Sequence, residues 1–168
     1  SANLKAGKIL PYIIKDLAGV KIGIIGLTNH KAKDKIKNIK IIESKTALKD
    51  SVAQLKVKGA DMIILLSNLG GEEDAKLIHE IKGINVLIDS QALPSNSAEF
   101  KPGDTIVLRP VWQGRRLGKA ILSLKDKGIT GYKTEEIRVS DKFTDALEIL
   151  SILPRCFSDN DCKKPGSI

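Results

Sequence analysis

Short apolar runs bounded by glycine, proline and polar residues divide this chain into elements. The clearest is Gly59-Ala60-Asp61-Met62-Ile63-Ile64-Leu65-Leu66-Ser67-Asn68-Leu69-Gly70, where residues 61–66 rise into an apolar stretch too short for a membrane span and too rich in β-formers for a surface helix. It reads as a strand buried on both faces. Upstream, residues 11–15 and 20–27 are β-branched runs separated by Asp16-Leu17-Ala18-Gly19, the pattern of a hairpin. Thr46 is placed to cap a helix in which Leu48, Val52 and Leu55 recur at i, i+4 and i+7, ending at Gly59. A second helix, 72–82, turns Ala75, Ile78 and Ile81 inward and stops at Gly83, ahead of a strand over 84–88. Residues 31–45 form a lysine-rich connection with room for a short strand at 39–42.

Beyond a Ser-, Pro- and Asn-rich loop at 89–103 the period changes to two. Residues 105–111, 119–124 and 134–139 alternate like antiparallel strands, with turns at Gln113-Gly114 and Lys127-Gly128. Asp141 is set to cap a last helix, 142–153, with Phe143, Ala146, Leu147 and Leu150 on one side, and Pro154 ends it. The pattern predicts an α/β fold: a β-α-β-α-β parallel core with right-handed crossovers, then antiparallel strands and a C-terminal helix. Residues 1–153 form the domain and 154–168 a tail carrying two cysteines.

In such a sheet ligands sit at the carboxyl ends of the strands, so Ser67, Asn68 and the Gly70-Gly71 turn are the first place for chemistry, with Thr28-Asn29-His30 at a comparable strand end. The acids Glu72, Glu73 and Asp74 suit the start of a helix and repel anions. They read as ordinary helix-start charge in preference to a metal site. Gly23 and Gly26 without a following helix read as close packing or a bend in preference to a nucleotide fingerprint. His30 and His79 read as solvated.

A net charge of +8 over 168 residues invites a nucleic-acid reading. Its distribution argues against one: nine lysines against Asp34, Glu43 and Asp50 crowd between Lys31 and Lys58, with no aromatic residue among them for stacking on bases. That stretch, which includes Lys31, Lys33, Lys35 and Lys37, reads as a solvated face, with polyanion binding as the lesser alternative. Aromatic residues make up only 4% of the chain, so the core must be aliphatic. No run is long enough to span a bilayer, and no signal peptide opens the chain, which begins as a processed or excised piece would. Cys156 and Cys162 enclose five residues, the spacing of a small disulfide loop worth about 2 kcal/mol, or else of two free thiols. Neither C-x-x-C-H nor a four-ligand metal set is formed, and Asp159 with Asp161 reads as a polar turn.

Five segments in order carry a resemblance. They are Ser1-Ala2-Asn3-Leu4; residues 11–15 with Gly19-Val20-Lys21-Ile22-Gly23-Ile24-Ile25-Gly26-Leu27-Thr28; Lys58-Gly59-Ala60-Asp61 leading to Leu66-Ser67-Asn68-Leu69-Gly70; Gly83-Ile84-Asn85-Val86-Leu87-Ile88; and Gln113-Gly114-Arg115-Arg116-Leu117-Gly118. Over about residues 1–140 the chain resembles the second half of the calcineurin-like metallophosphoesterase domain, of the type in secreted 5'-nucleotidases and 2',3'-cyclic-nucleotide phosphodiesterases. That resemblance implies a two-sheet sandwich and a dinuclear metal centre that activates water and clamps phosphoryl oxygens. The Asp-x-His, Gly-Asp and Gly-Asn-His motifs of such a domain would lie ahead of the residues present here. Two further motifs would fall within them. Asn68 stands where the family's Ser-His-x-Gly has its histidine, and Gln91 and Leu93 stand at the two histidines of Gly-Gly-His-Ser-His.

An amide can offer an oxygen to a hard cation, but Leu93 has no donor atom, and the imidazoles suited to Mn, Zn or Fe are missing. The expectation is therefore a non-catalytic phosphoesterase-like scaffold or interaction domain without a cofactor. The alternative is the C-terminal part of a metal-dependent nucleotidase whose metal-binding half lies elsewhere, with Asn68 and Gln91 as weak oxygen ligands and Arg115 or Arg116 beside phosphate. The resemblance also implies a periplasmic or extracellular location, and a second copy or a partner chain covering the apolar face that the absent half would occupy.

Overall fold

The computed structural model describes residues 10–29, 42–90, 105–109 and 116–140. Strands β1 (Tyr12–Leu17) and β2 (Val20–Thr28) form an antiparallel hairpin in which Leu17 faces Val20. The turn needs only Ala18 and Gly19, at φ +51° and +83°, and the Gly19 amide donates to Asp16 Oδ1 at 3.0 Å. Positive φ at both central positions matches the right-handed twist of the strands, which is why a glycine sits here.

Helix α1 (Ser44–Val57), β3 (Met62–Asn68), helix α2 (Gly71–Glu80), β4 (Val86–Asp89) and β5 (Ile106–Leu108) complete a five-stranded sheet of order β1-β2-β3-β4-β5. Strands β2 to β5 are parallel. The parallel core expected from the sequence is present, with one correction: the segment at 106–108 joins it as a fourth parallel strand instead of starting the antiparallel set. Its alternation misled because three residues are too few to distinguish the two pairings, and pairing with β4 buries Ile106 and Val107 to 3% and 1% exposure.

Successive neighbours in the sheet are successive in sequence, so right-handed crossovers place both helices on one face. Ile25 and Leu27 of β2, Ile63 and Leu65 of β3, Leu87 of β4 and Val107 of β5 form one core with Leu48, Val52 and Leu55 of α1 and Leu77 and Ile78 of α2. Gly23 lies under Leu55, where a Cβ would come within 2.7 Å of Leu55 Cδ1. This is the close packing expected of that glycine; a Cβ on Gly26, in contrast, would meet no described atom within 4 Å. The opposite face carries Ile13, Leu66 and Ile88, which stay 40%, 43% and 37% exposed.

The cap of α1 falls on Glu43, not on Thr46. The Glu43 carboxylate accepts from the Lys45 and Thr46 amides and from the Thr46 hydroxyl, the last at 2.7 Å. Thr46 is thus a donor to the cap, and its hydroxyl is the main reason the Glu43 carboxyl is held below its ordinary pKa. Glutamate is an uncommon cap, so the residue rule pointed three positions too far along.

Strands β6 (Arg116–Lys125) and β7 (Gly128–Arg138) form a separate antiparallel ribbon. Its turn is Asp126-Lys127, both at positive φ, one residue ahead of the Lys127-Gly128 turn read from the sequence. A register shift between Ser123 and Leu124 and an ion pair from Lys127 Nζ to Asp61 Oδ1 at 3.1 Å accompany that placement. The expected helix at 142–153 and the cysteine tail lie outside the described residues, and the compact unit holding every element above ends at Arg138.

Leu55→Ala is expected to lower stability by about 2–5 kcal/mol by leaving a cavity, and Gly23→Ala by about 1–3 kcal/mol by overpacking. Urea denaturation of the double variant should show less than the sum, because the added methyl enters the space that Leu55 vacates.

Candidate functional site

The parallel strands end in a polar layer. Ser67 pairs with Asp89 across β3 and β4, and the residue after β5 is Arg109. All three lie on the helix-side face, capping the aliphatic core: Ser67 is 2% exposed and Asp89 1%. The Arg109 guanidinium donates through Nε to Asp89 Oδ2 at 3.2 Å. It also lies against the start of α2, where a Cβ on Gly71 would approach Nη2 to 2.8 Å. A cation at a helix N-terminus opposes the macrodipole, and Asp89 together with Glu72, Glu73 and Asp74 in the first turn offsets it. Gly70 enters the helix at φ +109° with no side-chain cap.

Asp74 departs most from the sequence reading. It is 1% exposed, where ordinary helix-start charge was expected. The Ser67 hydroxyl donates to Asp74 Oδ1 at 2.5 Å and accepts from the Leu69 amide at 3.2 Å. Asp74 Oδ2 has no hydrogen-bond partner among the described residues. Burial pushes the Asp74 carboxyl above the usual carboxylate range, against the lowering effect of Ser67, and the nearby Asp89 charge adds to the rise. The sequence did hold a signal: Asp74, Leu77, Ile78 and Ile81 recur at i, i+3, i+4 and i+7, which puts the acid on the apolar stripe. Nothing in the sequence singled out Arg109, since its role depends on which strand lies beside β4.

Asn68 belongs elsewhere. It follows Ser67 in the same strand, so it points to the opposite face, is exposed, and lies beside Thr28 of β2. On that face its neighbours back along β3 and β4 are the aliphatic Leu66 and Ile88. The sheet therefore separates Asn68 from the carboxylates Asp74 and Asp89. Arg116 opens β6, with its guanidinium paired to the Glu136 carboxylate across the ribbon. Gln91, Leu93, Arg115, His30, Cys156 and Cys162 lie outside the described residues. His79 is exposed on α2. Of the lysine stretch, Lys45 pairs with Glu80, Lys56 donates to the Lys82 carbonyl and Lys58 stands 5.8 Å from the Tyr12 ring centre; Lys31, Lys33, Lys35 and Lys37 are outside the described set. Among the described residues no three His, Cys, Asp or Glu side chains come together as a metal-binding group, and no helix is long and apolar enough to cross a membrane.

No protein-family model matches the chain. It is 32% identical over 92 residues to the probable 5'-nucleotidase of Treponema pallidum (strain Nichols), covering 52% of this chain but only 16% of that protein. Among solved structures, the sulfate thiohydrolase SoxB of Thermus thermophilus superposes with a TM-score of 0.71 at 19% identity, over 84% of this chain and 27% of the other. A 5'-nucleotidase precursor, also from Thermus thermophilus, does so with a TM-score of 0.64 at 24% identity, over 79% and 30%.

Arg109→Met would leave Asp89 as a buried charge without its guanidinium partner, and is expected to cost about 3 kcal/mol in chemical denaturation at neutral pH. Lys119→Met breaks only an exposed cross-strand pair with Glu135 and should be close to neutral.

Proposed function

We propose, from the premise that this chain has the fold of the C-terminal part of a 5'-nucleotidase-type calcineurin-like phosphoesterase domain, that it serves as a non-catalytic scaffold or interaction domain. One observation carries the reading. At the strand end where the resemblance expects an imidazole, the described side chains on Asn68's face are the neutral Thr28 and Asn68 above the aliphatic Leu66 and Ile88. The nearby carboxylates are on the other face, engaged with Ser67 and Arg109. Neutral amide and hydroxyl oxygens do not fit a pair of Mn, Zn or Fe ions, which favour imidazole and carboxylate ligands. The partly exposed Ile13, Leu66 and Ile88 support the interaction half of the reading, since an apolar patch left exposed on a face whose Met62, Val86 and Ile106 are buried commonly marks contact with another chain.

Metal analysis of the purified protein, combined with hydrolysis of a chromogenic phosphodiester in added Mn, Zn or Fe, tests the proposal. The expected result is no stoichiometric metal and no turnover above buffer. Stoichiometric transition metal accompanied by turnover would overturn it. On the interaction side, association in light scattering or dye binding that is lost in the Leu66→Lys, Ile88→Lys double variant is expected. A monodisperse, dye-silent wild type would count against that half.

A further inference from the structure

The outer edge of β1 is an open row of backbone groups, and the direction of each group can be read from β2. Lys21 turns its amide and its carbonyl toward the start of β3, donating to Asp61 Oδ2 at 2.8 Å and accepting the Asp61 amide at 2.8 Å. Backbone groups alternate sides along a strand, so β2 reaches β1 through Val20, Ile22 and Ile24 and bonds there to Leu17, Lys15 and Ile13. The amides and carbonyls of Tyr12, Ile14 and Asp16 therefore point outward, and among the described residues β1 pairs with β2 alone. A groove of about 540 Å³ follows this edge, lined by residues 10–15 and by Lys58. Leu17, at the turn end of the strand, is 61% exposed. Lone edges are commonly guarded by proline or lysine. Pro11 does not guard this one, because by the same alternation its nitrogen faces β2. Lys15 forbids only those registers that bring it onto another lysine.

We propose that β1 is a self-association edge: two copies of this chain pair their β1 strands antiparallel about a two-fold axis at Ile14, so that two five-stranded sheets run on as one. Ile14 then faces Ile14 of the second copy, and Tyr12 faces Asp16 of the second copy, as hydrogen-bonded pairs made by the outward groups. Between them Ile13 faces Lys15 of the second copy. Leu17 faces Pro11 of the second copy at a position that asks for no amide. Like charges nowhere stand opposite each other, whereas a register centred on Lys15 or Asp16 would set them face to face. The Ile14 register also satisfies a cation. It brings Asp16 of the second copy beside the Tyr12 ring, over which Lys58 Nζ stands 5.8 Å from the centre. This goes beyond the scaffold reading, whose contact is the face of Leu66 and Ile88 and not the sheet edge.

Sedimentation of the full chain from about 10 µM to about 1 mM, with amide hydrogen exchange at each concentration, tests the edge. The expected result is a monomer–dimer equilibrium in which exchange of the Tyr12, Ile14 and Asp16 amides slows about tenfold once about nine-tenths of the chain is dimeric. The Ile13 and Lys15 amides, already bonded to β2, should change little. Ile14→Pro removes an outward amide that β2 does not use and should abolish dimerisation. Ile14→Ala, which also loses the branched side chain but keeps the amide, should still dimerise. Asp16→Asn retains the acceptor for the Gly19 amide and should weaken association about fivefold through its two symmetry-related contacts with Lys58. A chain that stays monomeric to about 1 mM with an unprotected Ile14 amide, or a dimer that Ile14→Pro leaves intact, would overturn the proposal. A dimer lost in the Leu66→Lys, Ile88→Lys variant but kept in Ile14→Pro would overturn it while leaving the scaffold reading in place; the opposite pattern would support it and count against the face. Should Ile14→Pro fail to fold, the concentration dependence of exchange at Ile14 against Ile13 decides alone.

Discussion

Neighbouring residues of a strand point to opposite faces, and at the end of β3 this simple geometry separates Ser67 from Asn68. Ser67 turns toward α2 and becomes part of a buried polar layer; Asn68 turns toward the face that carries the partly exposed Leu66 and Ile88. Read as a string, Ser-Asn-Leu-Gly suggests one functional cluster. The pleat makes it two, with the sheet between them. Asn68 thus sits among aliphatic neighbours, while Asp74 and Asp89 engage Ser67 and Arg109 on the helix side.

The buried polar layer exists because the parallel strands end under the start of a helix. Arg109 lies against Gly71, a cation at the positive end of α2, where Asp89 pairs with it and Glu72 and Glu73 add negative charge in the first turn. At the far end of the strands a different set of contacts acts. Asp61 accepts the Lys21 amide at 2.8 Å and the Lys127 ammonium at 3.1 Å, joining the start of β2 to the tip of the β6–β7 ribbon, and its carboxyl is held below the ordinary range by the Lys21 amide first. Each end of the sheet is closed by a charge that interacts with backbone or helix as well as with its ionic partner. The middle is aliphatic, as a chain with so few aromatic residues requires.

Much of the architecture was legible in the residue pattern. The hairpin of β1 and β2, both helices, the β3 run and the packing role of Gly23 were all readable, because each depends on local periodicity or on a glycine beneath a bulky neighbour. The misplaced details share one cause. Glu43 caps α1 because Thr46 can donate to it, β5 joins the parallel sheet because β4 has an unfilled edge, and Asp74 is buried because Ser67 is within reach. In all three a partner overruled an intrinsic preference.

The sequence by itself determined the β1–β2 hairpin, α1, β3, α2 and β4 in their order, the aliphatic core and the likeness to a phosphoesterase half-domain, since these follow from spacing and from motifs read along one dimension. Only the tertiary structure decided which face each strand-end residue occupies and which charges meet. Asp74, Asp89 and Arg109 are far apart along the chain and become neighbours only once parallel strands lie side by side beneath α2; no local pattern encodes that distance.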